Sequence, residues 1–473
     1  MLSAAAWSVV QQVGRVLLAS LFYFVIAGLL SPTEMGVLGI ATVWITLLGI
    51  FNELGFGAAL IQRREIDDRH LGTVFILNVV LGLLLFLGGA AISGPASRFM
   101  RVPQAGPVIL VLSVGFIISA FATVQAALAA RELRFRALAV RDLGGVLVGG
   151  AVGVGMALTG WGIWSLVGQS LTTSLVGTAL LWRVSPYRPR FSDWSPQVLP
   201  DLWHFSSRLF ALSMFKYVVQ NADALVIGYF FGPVRVGLYA LANKVLTQPI
   251  VAVESGLGAF LFSRASRLQE QRARVAELYA MSYKSLNYLV LPLVAMCAVW
   301  GGVLVPSILG HEWAETGAIF GFLAVMGVMH PPITPMGQLM KALGKADWFL
   351  RWGVGFSVLT IAGLLVGARF GFTGALTGLA LAYVAMLPVA FAIVARLLPG
   401  MLPSILRAVG PSYASGLAFY LTLLTFRHWG GARLPVAVAS TAVATLLYLA
   451  MVRRSDPGFG DLLRRQLVGL RPV

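Results

Sequence analysis

Apolar runs of about twenty residues succeed one another from one end of this chain to the other, and that pattern leaves few folds open. A helix needs about 20 residues to cross a hydrocarbon core of roughly 30 Å. Runs of this kind occupy residues 7–30, 36–60, 71–92, 107–130, 143–159, 162–182, 203–230, 236–261, 284–305, 316–340, 349–368, 372–395, 404–426 and 434–452. Of the 473 residues, 58% are hydrophobic and only 11% charged, where a soluble protein carries roughly a quarter. So little polar surface does not suffice for water, and lipid must be the solvent. The expected fold is an all-α polytopic membrane protein of about fourteen transmembrane helices. The 52 glycines suit helices packed backbone to backbone.

A formal net charge of +17 is also the footprint of nucleic-acid binders, so its distribution decides. One set of alternating loops holds Arg63, Arg64 and Arg69; Arg131, Arg134, Arg136 and Arg141; and Arg183, Arg188 and Arg190. It continues with Arg264, Arg267, Arg272, Arg274 and Lys284, then Lys341, Lys345 and Arg351, then Arg396 and Arg407, and ends in a tail with Arg453, Arg454, Arg464, Arg465 and Arg471. The opposite loops hold only Arg98, Arg101, Arg235, Arg369, Arg427 and Arg433. Such alternation is the positive-inside pattern of a multi-pass protein, and it puts both termini in the cytoplasm. The nucleic-acid reading thereby loses its support, and no nucleic-acid partner is expected. The N-terminus lacks a basic n-region and carries Arg15 within its apolar stretch, so it reads as a first span rather than a cleaved signal. The lone cysteine, Cys297, lies in an apolar run and reads as packing.

The chain also repeats itself. Gly28-Leu-Leu-Ser-Pro32-Thr-Glu-Met-Gly36 recurs as Gly228-Tyr-Phe-Phe-Gly-Pro233-Val-Arg-Val-Gly237. Leu128–Ala139 is echoed at Ala342–Gly353, and Gly160-Trp161-Gly162 at Gly371-Phe372-Thr373-Gly374. The offset is about 200 to 214 residues, or six spans. An even offset gives parallel repeats about an axis along the membrane normal. The expected organisation is a six-helix lobe over 1–198, a second over 199–398, and helices 13 and 14 with a basic tail over 399–473, the two bundles facing a central cavity.

Ionisable groups at membrane depth are costly and tend to face a wet cavity or a partner. Arg15, Arg208, Lys216 and Lys244 lie at such depth, with Glu53, Asp223 and Glu254 as the acids. On the first span Ser8, Gln11, Gln12 and Arg15 form one polar stripe at helical spacing. On the seventh, Lys216, Gln220 and Asp223 share a face; on the eighth, Lys244, Gln248 and Ser255 align, with Pro249 as an expected kink. These positions define a candidate cationic cavity for an anionic headgroup such as a pyrophosphate, since Arg supplies paired donors and Lys a point charge. The bland alternative has Lys216 and Asp223 pairing within their helix and Arg15 snorkelling to the cytoplasmic face. Glu53 and Asp223 read as structural partners, and Glu254, a single acid near the expected kink, as a candidate proton or cation site. The five histidines, His70, His204, His311, His330 and His428, are scattered without metal-ligand spacing. With no P-loop signature and no hydrolase motif, neither a catalytic residue nor a cofactor is expected.

Several stretches resemble the polysaccharide-transporter (Wzx-type) branch of the multidrug/oligosaccharidyl-lipid/polysaccharide exporter superfamily. They are Glu53–Gln62, Thr73–Asn78, Arg131–Arg136, Gly160–Gly168, Asn221–Gly228 running into Gly237–Lys244, Ser263–Leu268 and Ala342–Lys345. The likeness covers residues 1 to about 400 in order. It implies two MATE-like lobes that work by alternating access, with Glu53 and Asp223 as acidic family positions, Lys244 as a basic one, and Arg15 similar to the cavity arginines of related flippases. It also implies the cargo: undecaprenyl-pyrophosphate-linked oligosaccharide units moved from the cytoplasmic to the periplasmic leaflet for exopolysaccharide or lipopolysaccharide synthesis. Membrane lipid and the polysaccharide polymerase and export machinery are the implied partners. A cation-coupled drug exporter of the same fold, and a membrane glycosyltransferase or polymerase, are the alternatives. The first would favour a net acidic cavity, the second a large outward loop.

Overall fold

The computed structural model describes residues 4–457 except 53–56, 58–59, 62, 64 and 191–192, with side chains described except at 4–6, 8–9, 52, 198–216 and 218–219. Thirteen α-helices dominate, and no strand occurs among the described residues. They are α1 (Ala4–Ala27), α2 (Pro32–Asn52), α3 (Asp68–Phe99), α4 (Ala105–Arg131), α5 (Phe135–Leu158), α6 (Trp164–Val184) and α7 (Leu199–Arg267). After these come α8 (Arg272–Leu309), α9 (Thr316–Ala342), α10 (Ala346–Ala368), α11 (Gly371–Leu397), α12 (Leu402–Gly430) and α13 (Leu434–Ser455). Among the described residues, 11 segments are long and apolar enough to cross a membrane.

The long α7 is two helical arms joined at Gly232, where the backbone takes φ 76° and ψ −177°. Glycine adopts that conformation without a Cβ penalty, and Pro233 then opens the next arm with a φ already suited to a helix. Pro32 opens α2 in the same way. There Ser31 and Glu34 add a capping box: Ser31 Oγ accepts from the Glu34 N–H at 3.3 Å, and Glu34 Oε2 accepts from the Ser31 N–H at 2.9 Å.

Helices overrun the apolar stretches that announce them. Arg136 and Arg141 lie on α5 and Lys284 lies well inside α8, so the loops assigned to these residues from sequence are helix. Arg and Lys are good helix formers, and a helix leaving hydrocarbon has no reason to stop at its edge. Other loop arginines close helix ends. Arg131 Nη1 donates to the carbonyls of Leu60 and Arg63, and Arg188 donates to those of Trp182 and Ser185 at the end of α6.

The chain divides into two compact units, Met1–Gly237 and Leu238–Val473. In the first, α5 lies along α1 and α6, and α2 packs on α3 and α4. Its core includes Leu71, Val74, Phe75 and Val124, with Phe121 and Trp182 packed at its edge. In the second, α8 contacts α9, α12 and α13, while α11 lies against α9 and α10. Its largest core holds Tyr279, Tyr283, Met336, Leu339 and Met340. Hydrogen bonds tie the last two helices to α8. The Tyr283 and Tyr413 hydroxyls meet at 2.9 Å, Asn287 Nδ2 donates to Ser412 Oγ at 2.9 Å, and the Tyr448 hydroxyl donates to the Tyr288 carbonyl at 2.9 Å. Lys284 Nζ reaches Asp456 Oδ2 at 2.5 Å. Such bonds fix register where lipid offers no hydrophobic drive between helices.

The two copies of the repeat meet in space. A Cβ on Gly36 would run into the carbonyl oxygen of Pro233, and one on Gly237 into that of Pro32. Equivalent residues exchanging equivalent contacts is the signature of a local twofold relation. Gly363 of α10 and Gly378 of α11 approach each other's carbonyls as closely. Gly36→Ala and Gly237→Ala should each lower stability by about 1–3 kcal/mol through overpacking, read as a lower melting temperature of the full chain in detergent. Gly355→Ala meets nothing within 4 Å and is expected to hold or raise that temperature.

Candidate functional site

Helix α1 presents sides of different character. Gly14, Phe22 and Ile26 lie against α5, where Leu143, Gly150 and Gly153 receive them. Val10, Val13, Leu17 and Leu21 form an exposed apolar strip suited to lipid. Turned away from that strip, Gln12 and Arg15 are both exposed and stand almost one turn apart. Among the described residues Arg15 has no ion-pair partner. Gln11 is partly buried and engaged: its Nε2 donates to Asp142 Oδ2 at 2.7 Å, and Arg141 Nε stands 3.4 Å from the other oxygen of that carboxylate. Sequence reasoning passed over Asp142 because it sits in a charged stretch taken for a loop. The polar stripe of the first span therefore splits into a structural member, Gln11, and an exposed pair. The side chain of Ser8 lies outside the described residues.

On the first arm of α7 the Tyr217 hydroxyl donates to the Val43 carbonyl at 3.2 Å, and Asn221 Nδ2 to the Tyr217 carbonyl at 3.0 Å. Gln220 is exposed, whereas Asp223 is partly buried and accepts the Ala224 N–H at 2.8 Å. Glu53 lies outside the described residues, as do the side chains of Lys216 and Arg208.

On the second arm Lys244 is partly buried, and Gln248 and Ser255 are exposed. Helical dihedrals continue through Pro249, so the break in this element is at Gly232 and not at the proline. Glu254 is turned inward, with 8% of its surface exposed. Its Oε1 accepts from Thr334 Oγ1 at 2.8 Å and lies 2.9 Å from His330 Nδ1. Glu254 is thus not the isolated acid that the sequence suggests, and His330 is not a stray histidine. The available signal was the stretch His330-Pro-Pro-Ile-Thr334, two polar side chains one turn apart in an apolar span. No group of three His, Cys, Asp or Glu fit to hold a metal ion occurs among the described residues.

An all-helical, many-spanned chain with these engaged polar groups has the fold of a known class of membrane transporters. It superposes on lipid II flippase MurJ in an inward closed conformation with a TM-score of 0.74 and 12% identity, over 98% of this chain and 99% of that one. A multidrug resistance MATE family transporter of the MOP superfamily, in an inward-facing conformation, matches with a TM-score of 0.63 and 15% identity, over 80% and 95%. At those identities the likeness is one of fold. Residues 25–318 match the family described as polysaccharide biosynthesis protein, and the chain belongs to that family. It is 25% identical to the succinoglycan biosynthesis transport protein ExoT of Rhizobium meliloti (strain 1021), over 98% of this chain and 94% of ExoT. It is 24% identical to the lipopolysaccharide biosynthesis protein WzxC of Escherichia coli (strain K12), over 78% of this chain and 75% of WzxC. The chain is a multi-pass membrane transporter of polysaccharide biosynthesis.

Removing the Asp142 carboxylate strands two donors in a confined place. Asp142→Leu should cost about 1–3 kcal/mol and Asp142→Asn less, while Gln12→Leu on the exposed side should stay within about 0.5 kcal/mol. Thermal denaturation of the full chain checks all three.

Proposed function

We propose that this protein is a flippase that carries undecaprenyl-pyrophosphate-linked oligosaccharide units from the cytoplasmic to the periplasmic leaflet of a bacterial inner membrane by alternating access. The observation that carries this reading is the divided surface of α1. Its exposed apolar strip suits lipid, but Gln12 and Arg15 on another exposed side do not. A guanidinium held at membrane depth costs a few kcal/mol or more, and that cost is offset if the residue lines a wet path and meets an anion. A diphosphate suits Arg15 through paired N–H donors, and Lys244 on the second arm of α7 supplies a further positive charge. Family membership and the names of ExoT and WzxC support a polysaccharide cargo.

In this reading the basic loops and both termini lie in the cytoplasm, and lobes over 1–198 and 199–398 alternate their opening while helices over 399–473 attend them. The glycan leaves to the polymerase and export machinery. No cofactor or catalytic residue takes part. Arg15→Gln together with Lys244→Gln, in a protein that still reaches the membrane in normal amount, should abolish polysaccharide export in cells that depend on it. Export at the unmodified level in that double variant sinks the assignment of these cations to the cargo.

A further inference from the structure

Glu254 is the one charged residue that is buried among the described residues, and the path for cargo makes no use of it. Its Oε1 takes the Thr334 hydroxyl and faces His330 Nδ1. Ser282 of α8 lines the same narrow void as Glu254 and Thr334. Its Oγ is buried and has no hydrogen-bond partner among the described residues, so the cluster has unused polar capacity. A lone carboxylate in such a bundle costs several kcal/mol, and the imidazole is the compensating group. Histidine is also the side chain whose charge ordinarily changes between about pH 5 and 8.

The other described groups around the pair are neutral. Tyr383 of α11 sets its ring 6.3 Å from that of His330, and Tyr279 of α8 donates its hydroxyl to the Pro332 carbonyl at 3.3 Å. From α9 itself, Gln338 packs by Gly258 next to the void. Among the described residues no Lys, Arg or Asp lies within ion-pair distance of Glu254 or His330. The backbone of α9 is weakest at this same level. Pro331, Pro332 and Pro335 lie inside the helix. Each lacks the N–H that bonds the carbonyl four residues back, so the carbonyls of Gly327, Val328 and Pro331 lose their helical donors.

We infer that Glu254, His330 and Thr334 form a proton-binding site whose occupancy sets the bend of α9 at its three prolines. An incoming proton converts the carboxylate to a carboxylic acid and raises the charge of the pair by one. The negative charge that faces His330 then disappears, and Thr334 loses its charged acceptor. With Glu254 fixed on α7 and His330 on the proline stretch, the change in attraction acts across the weakest point of α9. A charge change acting on a bistable helix is the ordinary form of a proton switch.

The test needs no cargo, so its outcome is separate from that of the export reading. The full chain is reconstituted in liposomes of phosphatidylethanolamine and phosphatidylglycerol, and infrared difference spectra are recorded between alkaline and acid buffer. A carboxylic acid band should appear on acidification, vanish in Glu254→Gln, and move its midpoint by at least tenfold in proton concentration in His330→Gln. Spin labels on cysteines at Ala318 and Lys341, exposed near either end of α9, are added in a Cys297→Ala background. Their separation should change with pH in the parent protein and not with Glu254→Gln. A band that survives Glu254→Gln overturns the site, and a separation constant across the titration overturns the switch.

Discussion

Helices in hydrocarbon gain nothing by hiding apolar side chains from one another, because the lipid is as apolar as they are. What holds them is close backbone approach and hydrogen bonds between polar groups that have no other partner. Both devices recur through this protein. Gly36 and Gly237 each admit a carbonyl where any side chain would stand, and Gly363 and Gly378 do the same between α10 and α11. The terminal pair α12 and α13 is secured instead by hydroxyls and an amide, with Tyr283, Asn287 and Tyr448 as the anchors.

The same economy sorts the polar residues of the membrane-spanning stretches. A side chain that found a protein partner became structure, as Gln11 did with Asp142 and Tyr217 with the Val43 carbonyl. Others, such as Arg15 and Gln248, stay exposed on their helices. Glu254 belongs to neither group. It is buried and partnered, yet its partner is itself titratable, and that makes it a place where charge can change without leaving the interior.

Much of the architecture was legible because the length of an apolar run is set by the bilayer, not by tertiary packing. The separate runs 203–230 and 236–261 are the two arms of α7, and the gap between them holds Gly232-Pro233, a pair that states a backbone conformation in its own chemistry. Helix ends were less legible: Arg141 and Lys284 sit on helices because charge does not end a helix, only its passage through lipid. The candidate site was half legible. Periodicity tells which residues share a face but not what stands opposite. Gln11 and Gln12 therefore looked alike until Asp142 engaged one of them, and Glu254 looked alone until α9 brought His330 to it.

The single-residue joint in α7 has a bearing on how the protein is made. Its two arms have no loop between them, only Gly232 with Pro233 behind it, so there is no hydrophilic segment to be passed across on its own account. Membrane insertion must handle the two arms with only a glycine between them. Pro233 and Gly237 follow at once in the sequence and seat against Gly36 and Pro32. Both copies of the repeat are thus present in the growing chain, with the residues that seat them, before any of α8 to α13 has been synthesised.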